Sequence, residues 1–114
     1  GIPLAFGSDL DSYDHNIFYG IYGAITRADK KGIPVGGFMP HEALTSEEAI
    51  RGYTNWAAYS AHVENEVGQL KAGMWADIAV VDKDLLNVGS SNPADLLNGK
   101  IIMTIVGGKV IYKN

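Results

Sequence analysis

Ile2-Pro3-Leu4-Ala5-Phe6-Gly7-Ser8-Asp9 joins a short apolar run to a glycine turn that carries a carboxylate. Ile2 to Phe6 reads as a strand, with Pro3 tolerated because it lies near the beginning. A continuous apolar strand is buried on both faces and delivers its last residues to the open end of an α/β sheet or barrel. Such a strand needs neighbours on both sides, and the sequence places none before it. The chain is therefore expected to be the closing part of a larger enzyme.

Outward from that stretch the period changes to that of a helix. From Asn16 to Lys30 the apolar residues fall at Ile17, Ile21, Ile25 and Ala28, one helical face. Gly32 followed by Pro34 supplies the stop. After the Gly/Pro-rich loop 33–40, Thr45-Ser46-Glu47-Glu48 reads as a capping box, with Thr45 on the Glu48 N–H and the Glu48 side chain reaching back. Ala49, Ile50, Tyr53, Trp56, Ala57 and Ser60 then form an amphipathic face, and the helix is expected to run to Tyr59. Val67 to Leu70 reads as a short strand or extended turn. Ala76 to Asp82 reads as a strand. Asp84 to Asn98 is irregular, with a helical turn at 93–97. Lys100 to Val106 and Lys109 to Tyr112 form a hairpin about Gly107-Gly108. The first half is strand followed by helices, and the last third is a β unit with too few strands to stand alone.

The totals narrow the classes. A net charge of −4 with no Lys/Arg cluster excludes a nucleic-acid surface. No apolar run has the length of a membrane span, so no membrane partner is expected. The absence of cysteine excludes disulfides and thiolate metal sites, and it accords with the reducing cytoplasm as the expected location.

Asp9 is the strongest chemical candidate. Read locally it is either a turn aspartate capping the next segment or a carboxylate that binds a metal and takes a proton from water. Ser8 lacks the glycine-flanked elbow of a nucleophile and reads as a turn hydroxyl. Asp11, Asp14 and His15 crowd the loop after Asp9, but their spacing matches no EF-hand. They read as a solvated rim. His15, His41 and His62 form no H-x-H or H-E-x-x-H pair. Arg27 on the first helix reads as an ion-pair partner in preference to a residue that faces substrate. Gly36-Gly37 and Gly107-Gly108 lack the pattern of a phosphate loop. Tyr53 and Trp56 belong to the helix face, and Trp75 is expected between two layers.

Taken together, the blocks resemble the C-terminal end of the metal-dependent amidohydrolases, nearest to amidohydrolase family 3 and its N-substituted formamide deformylase-like branch. Gly7-Ser8-Asp9 resembles that family's last barrel strand with its metal-site aspartate. Residues 20–27, Gly-Ile-Tyr-Gly-Ala-Ile-Thr-Arg, resemble the helix after it. Residues 42–45, 47–51, 53–54 and 57–59 continue the likeness. Residues 68–82 resemble the signature G-x-L-x-x-G-x-x-A-D-[LIV]-x-V-x-D that leads into the accessory β domain, and residues 104–112 resemble the final hairpin. Two departures stand out. Asp11 and Ile17 hold positions where the family commonly has proline, and the H-x-H pair of the first barrel strand is absent from this sequence.

The resemblance implies an α/β fold: the last strand–helix unit of a (β/α)8 barrel over residues 1–65, and the C-terminal part of a small composite β-sandwich over 66–114. It implies hydrolysis of amide-type C–N bonds in small-molecule substrates by the whole enzyme, with one or two divalent metals, often zinc. Asp9 would serve as metal ligand and proton acceptor. With one member of the metal set present, the isolated chain is expected to be inactive and to hold no metal tightly. Two other readings stand beside it. One is a non-catalytic structural or interaction module that self-associates or binds a partner through an open strand edge. The other is a small acid/base site of Asp9, Asp11 and Asp14.

Overall fold

Asn16 opens the first helix, α1 (Ile17–Thr26), by accepting the Phe18 N–H on its side chain at 2.9 Å. The computed structural model describes residues 2–9 and 15–114. The helix ends well before the expected Lys30. Arg27 turns into the left-handed region (φ 57) while its N–H donates to the Gly23 carbonyl at 2.9 Å. Thr26 contributes to the stop. Its hydroxyl donates back to the Tyr22 carbonyl and accepts the Ala28 N–H, which satisfies groups that would otherwise continue the helix.

The capping box forms as the sequence predicts. Thr45 Oγ1 accepts the Glu48 N–H at 3.2 Å, and Glu48 Oε2 accepts both the Thr45 N–H at 2.9 Å and the Thr45 hydroxyl at 2.8 Å. The helix it opens is shorter than expected: α2 (Ser46–Tyr53) breaks at Thr54, whose backbone leaves the helical region (φ −125, ψ −101), and α3 (Asn55–Ser60) follows. The Thr45 donors hold the Glu48 carboxyl below the usual carboxylate range, the backbone N–H most of all. A carboxyl depressed in the folded state stabilises above its unfolded pKa and loses that contribution as pH falls through the lower folded value. Glu48→Gln is therefore expected to lower the melting temperature at neutral pH. The difference from wild type should vanish at strongly acid pH, as read by paired thermal melts.

The last third holds an antiparallel sheet in the order β1-β2-β3, made of β1 (Ile78–Val81), β2 (Ile101–Val106) and β3 (Lys109–Lys113). Gly107 and Gly108 both have positive φ (55 and 77), as a tight two-residue hairpin turn requires. The turn is tied down further. Gly107 N–H donates to Asp77 Oδ1 at 2.7 Å, and Gly108 N–H to the Ala76 carbonyl at 3.0 Å. Residues 67–70 form no strand.

Between β1 and β2 the chain makes an excursion that the sequence showed only as one helical turn. Asp84 caps α4 (Leu85–Ser91) by accepting the Asn87 N–H at 3.1 Å, and a 3-10 helix (Pro93–Asn98) follows. The excursion is closed at its neck. Asp82 N–H donates to the Lys100 carbonyl at 3.1 Å, and Lys100 N–H donates to Asp82 Oδ1 at 2.7 Å.

The opening stretch 2–9 forms no strand among the described residues. A strand exists only through its ladder, and here the main chain is seen to make one such bond, from the Phe6 N–H to the Gly52 carbonyl at 2.9 Å.

The contacts divide into two units. One comprises the segment up to Phe6, 51–82 and 100–114. In it the Phe6 ring meets Tyr53 edge-on at 5.4 Å and lies against Gly52, where any Cβ would strike the ring. The β-sheet completes this unit, and every residue of β3 is exposed. The other unit comprises 7–50 and 83–99, and it holds most of the buried apolar residues. Phe18, Ile21 and Tyr22 of α1 are buried, as is Leu96 of the 3-10 helix, with α1 packed on that helix and on α4. Ala49 is fully buried, and Ser46 lies so close to Gly89 that a Cβ there would meet its hydroxyl.

Candidate functional site

Gly7 and Ser8 lead from the apolar stretch to Asp9, which is exposed and adopts a left-handed backbone (φ 46). For an L-residue that conformation costs roughly 1–2 kcal/mol. Aspartate is among the residues that enter the region most readily. Strained non-glycine residues of this kind gather at functional sites. The result is a carboxylate presented to solvent from a left-handed backbone position.

The other candidates distribute as follows. Asp11 and Asp14 lie outside the described residues. His15 is exposed just before the Asn16 cap. His41 Nε2 is 3.6 Å from Glu42 Oε1, both at the surface. His62 is exposed with φ 60 after α3. Among the described residues no three His, Asp or Glu side chains converge as a metal centre requires. Zinc takes about four ligands. Asp9 fits as one oxygen donor of such a set, and the described residues do not complete it.

Several polar residues act on the backbone instead. Arg27 Nε donates to the Phe38 carbonyl at 3.1 Å, where the sequence suggested an ion pair. With the Phe38 N–H to Arg27 carbonyl bond at 2.8 Å, it closes the base of loop 28–37. Inside that loop Asp29 Oδ1 accepts the Ile33 and Lys31 N–H groups, and these two bonds hold its carboxyl below the ordinary range. Lys83 meets Asp95 at 2.9 Å, and that contact together with Asn98 lowers the Asp95 carboxyl. Burial pushes the Tyr53 hydroxyl up. Trp75 is 61% exposed rather than held between layers, its main-chain N–H donating to the Glu66 carbonyl at 2.8 Å. No helix among the described residues is long and apolar enough to cross a membrane.

Sequence reasoning missed the seat of Phe6 on Gly52 and Tyr53. No local signal marks it, because the partners are remote in sequence and Gly52 sits inside a helix. It also missed Asp84 as a cap, although an aspartate directly before Leu85-Leu86 is a legible N-cap signature.

A family model described as "Amidohydrolase family" matches residues 1–112. N-substituted formamide deformylase of Arthrobacter pascens is 26% identical over 113 residues, covering 99% of this chain and 20% of that protein. 5-methylthioadenosine/S-adenosylhomocysteine deaminase of Symbiobacterium thermophilum is 26% identical over 125 residues, covering 100% of this chain and 27% of that protein. The chain thus spans about a fifth to a quarter of the length of these curated relatives. The crystal structure of an amidohydrolase from Thermotoga maritima MSB8 superposes with a TM-score of 0.50 at 18% identity, over 65% of this chain and 17% of that one. That likeness is one of fold.

Proposed function

The chain belongs to the amidohydrolase family, and from that membership we propose that it is the C-terminal segment of a metal-dependent hydrolase that cleaves amide-type C–N bonds. Residues 1–65 end the (β/α)8 barrel and 66–114 close the accessory β-sandwich; residues 2–6, which form no strand in the 114-residue chain, would pair as the last barrel strand only against the strands of the longer protein. The observation that carries the reading is the family match over residues 1–112, which spans Asp9 and the β hairpin alike. The names of the two relatives, a deformylase of N-substituted formamides and a deaminase, share the cleavage of a C–N bond.

Asp9 is the residue of this chain that meets the reaction. Its exposed position on a strained, left-handed backbone suits a carboxylate that must face a cleft rather than a core. Asp9 would contribute one oxygen to hold a divalent cation, zinc by preference, and would accept the proton of the attacking water; the chemistry such a cation would supply is a lower water pKa and a polarised scissile carbonyl. The remaining donors come from histidines outside this sequence. The substrate is a small amide-type molecule.

The test compares the longer protein with the 114-residue chain. The upstream coding sequence is recovered and read for an H-x-H strand. Both proteins are then assayed for amine or ammonia release from an amide panel and for bound metal by elemental analysis. The longer protein is expected to turn over at least one amide. The 114-residue chain alone is expected to show no turnover and less than one tight metal per chain. Stoichiometric zinc on the short chain, or an upstream stop codon, would overturn the reading.

One observation favours a second reading. The outer strand β3 exposes Val110, Ile111 and Tyr112 and presents an open edge. A structural module that self-associates or pairs with a partner through this edge predicts concentration-dependent oligomers of the short chain and no hydrolysis by any longer form.

A further inference from the structure

Asn98-Gly99 is the sole Asn-Gly pair in the sequence. In such a pair no side chain shields the backbone nitrogen of the second residue, so it reaches the asparagine side-chain carbonyl with little hindrance. We propose that Asn98 is a self-modification site, converted by the chain itself to isoaspartate and aspartate at a rate set by opening of the 3-10 helix end.

The chemistry needs only water and a solvent base. The Gly99 nitrogen gives up its proton and attacks Asn98 Cγ. The new C–N bond closes a five-membered imide, and the Cγ–Nδ2 bond breaks to release ammonia. Water then opens the imide at either carbonyl. One opening restores the normal main chain with an aspartate side chain. The other routes the main chain through the side-chain carbon.

The folded chain presents this pair and restrains it. Asn98 is exposed to water at the last position of the 3-10 helix Pro93–Asn98. Gly99 N–H, the nucleophile, donates to the Leu96 carbonyl at 2.9 Å. Closure of the imide requires that bond to break. Asn98 Nδ2 donates to Asp95 Oδ1 at 3.3 Å, which holds the side chain towards the helix rather than over Gly99. The glycine itself is dictated by packing, because a Cβ at this position would run into the ring of Phe18, which is buried. The labile pair is therefore imposed by the core, and the helix end is its restraint.

Conversion is self-reinforcing. The isoaspartate adds a methylene to the main chain where Gly99 is wedged against Phe18. The aspartate product puts a carboxylate where an amide donor faced Asp95, so an attractive contact becomes a like-charge one that competes for Lys83.

The test incubates the chain in mildly alkaline buffer, native and in urea, with peptide mapping by mass spectrometry and enzymatic methylation of isoaspartate. In urea Asn98 should convert before any other asparagine. In native buffer it should convert about tenfold more slowly or less, as expected for a reaction that waits on local opening. Asn98→Gln should abolish the methylation signal, and Leu96→Ala should raise the native rate without changing the urea rate. Amide exchange at Gly99 of the wild-type chain gives an independent reading, with a protection factor expected to match the native-to-urea ratio. Equal rates in the two conditions, earlier conversion of another asparagine, or an unprotected Gly99 amide beside a protected Asn98 would each overturn the proposal.

Discussion

In the longer protein, Asp9→Asn is expected to lower kcat/KM for C–N hydrolysis by about a hundredfold to ten-thousandfold, the range for losing a positioned proton acceptor. The melting temperature of the metal-free protein should stay the same. Asparagine keeps the size of the side chain and shares the tolerance of aspartate for the left-handed backbone seen at φ 46. What it removes is the negative charge and the basic oxygen. Asp9→Ala would mix that loss with backbone strain of roughly 1–2 kcal/mol, and is the poorer test. Kinetics should be paired with elemental analysis. Loss of both metal and rate assigns a ligand. Loss of rate at full metal content assigns the proton acceptor. Unchanged rate and metal would remove Asp9 from the site altogether.

Leu96→Ala is expected to destabilise by about 2–5 kcal/mol, the span for truncating a buried leucine. Leu96 has no exposed surface, and the 3-10 helix that carries it packs on α1. Small domains have only about 5–15 kcal/mol in total, so this single change removes a large share. Urea unfolding should show the midpoint falling. Leu86 on α4 is 52% exposed and provides the control, since its truncation should change stability by no more than about 0.5 kcal/mol. Equal effects at the two positions would show that the unit around α1 is not packed as described.

What the sequence disclosed follows from the range of the forces involved. The Thr45–Glu48 box was legible because both partners lie on one helical turn and no distant residue enters the arrangement. The hairpin at Gly107-Gly108 was legible because its backbone conformation restricts the residue types allowed. The strand reading of Ile2 to Phe6 rested on composition, yet a strand is a property of two paired segments, and among the described residues Phe6 alone of this stretch is seen bonded to a neighbour. The end of α1 was misplaced because Thr26 and Arg27 stop the helix through hydrogen bonds that no glycine or proline announces. Helix α4 was overlooked because Gly89 and two serines mask its apolar face, although Gly89 is there to admit Ser46. For Asp9 local sequence left two meanings open. The family match makes the active-site meaning the one proposed, and the structure adds the strained left-handed backbone.

The neck formed by Asp82 and Lys100 has an evolutionary corollary. Two main-chain N–H groups close the base of 83–99, so the pairing of β1 with β2 does not depend on what that excursion contains. Loop closure grows only slowly with length, at about 0.6 kcal/mol for each doubling. Descendants of this chain can thus vary or lengthen the exposed positions of the insert while the strand register stays fixed, as long as Leu96 and the face that packs on α1 are kept.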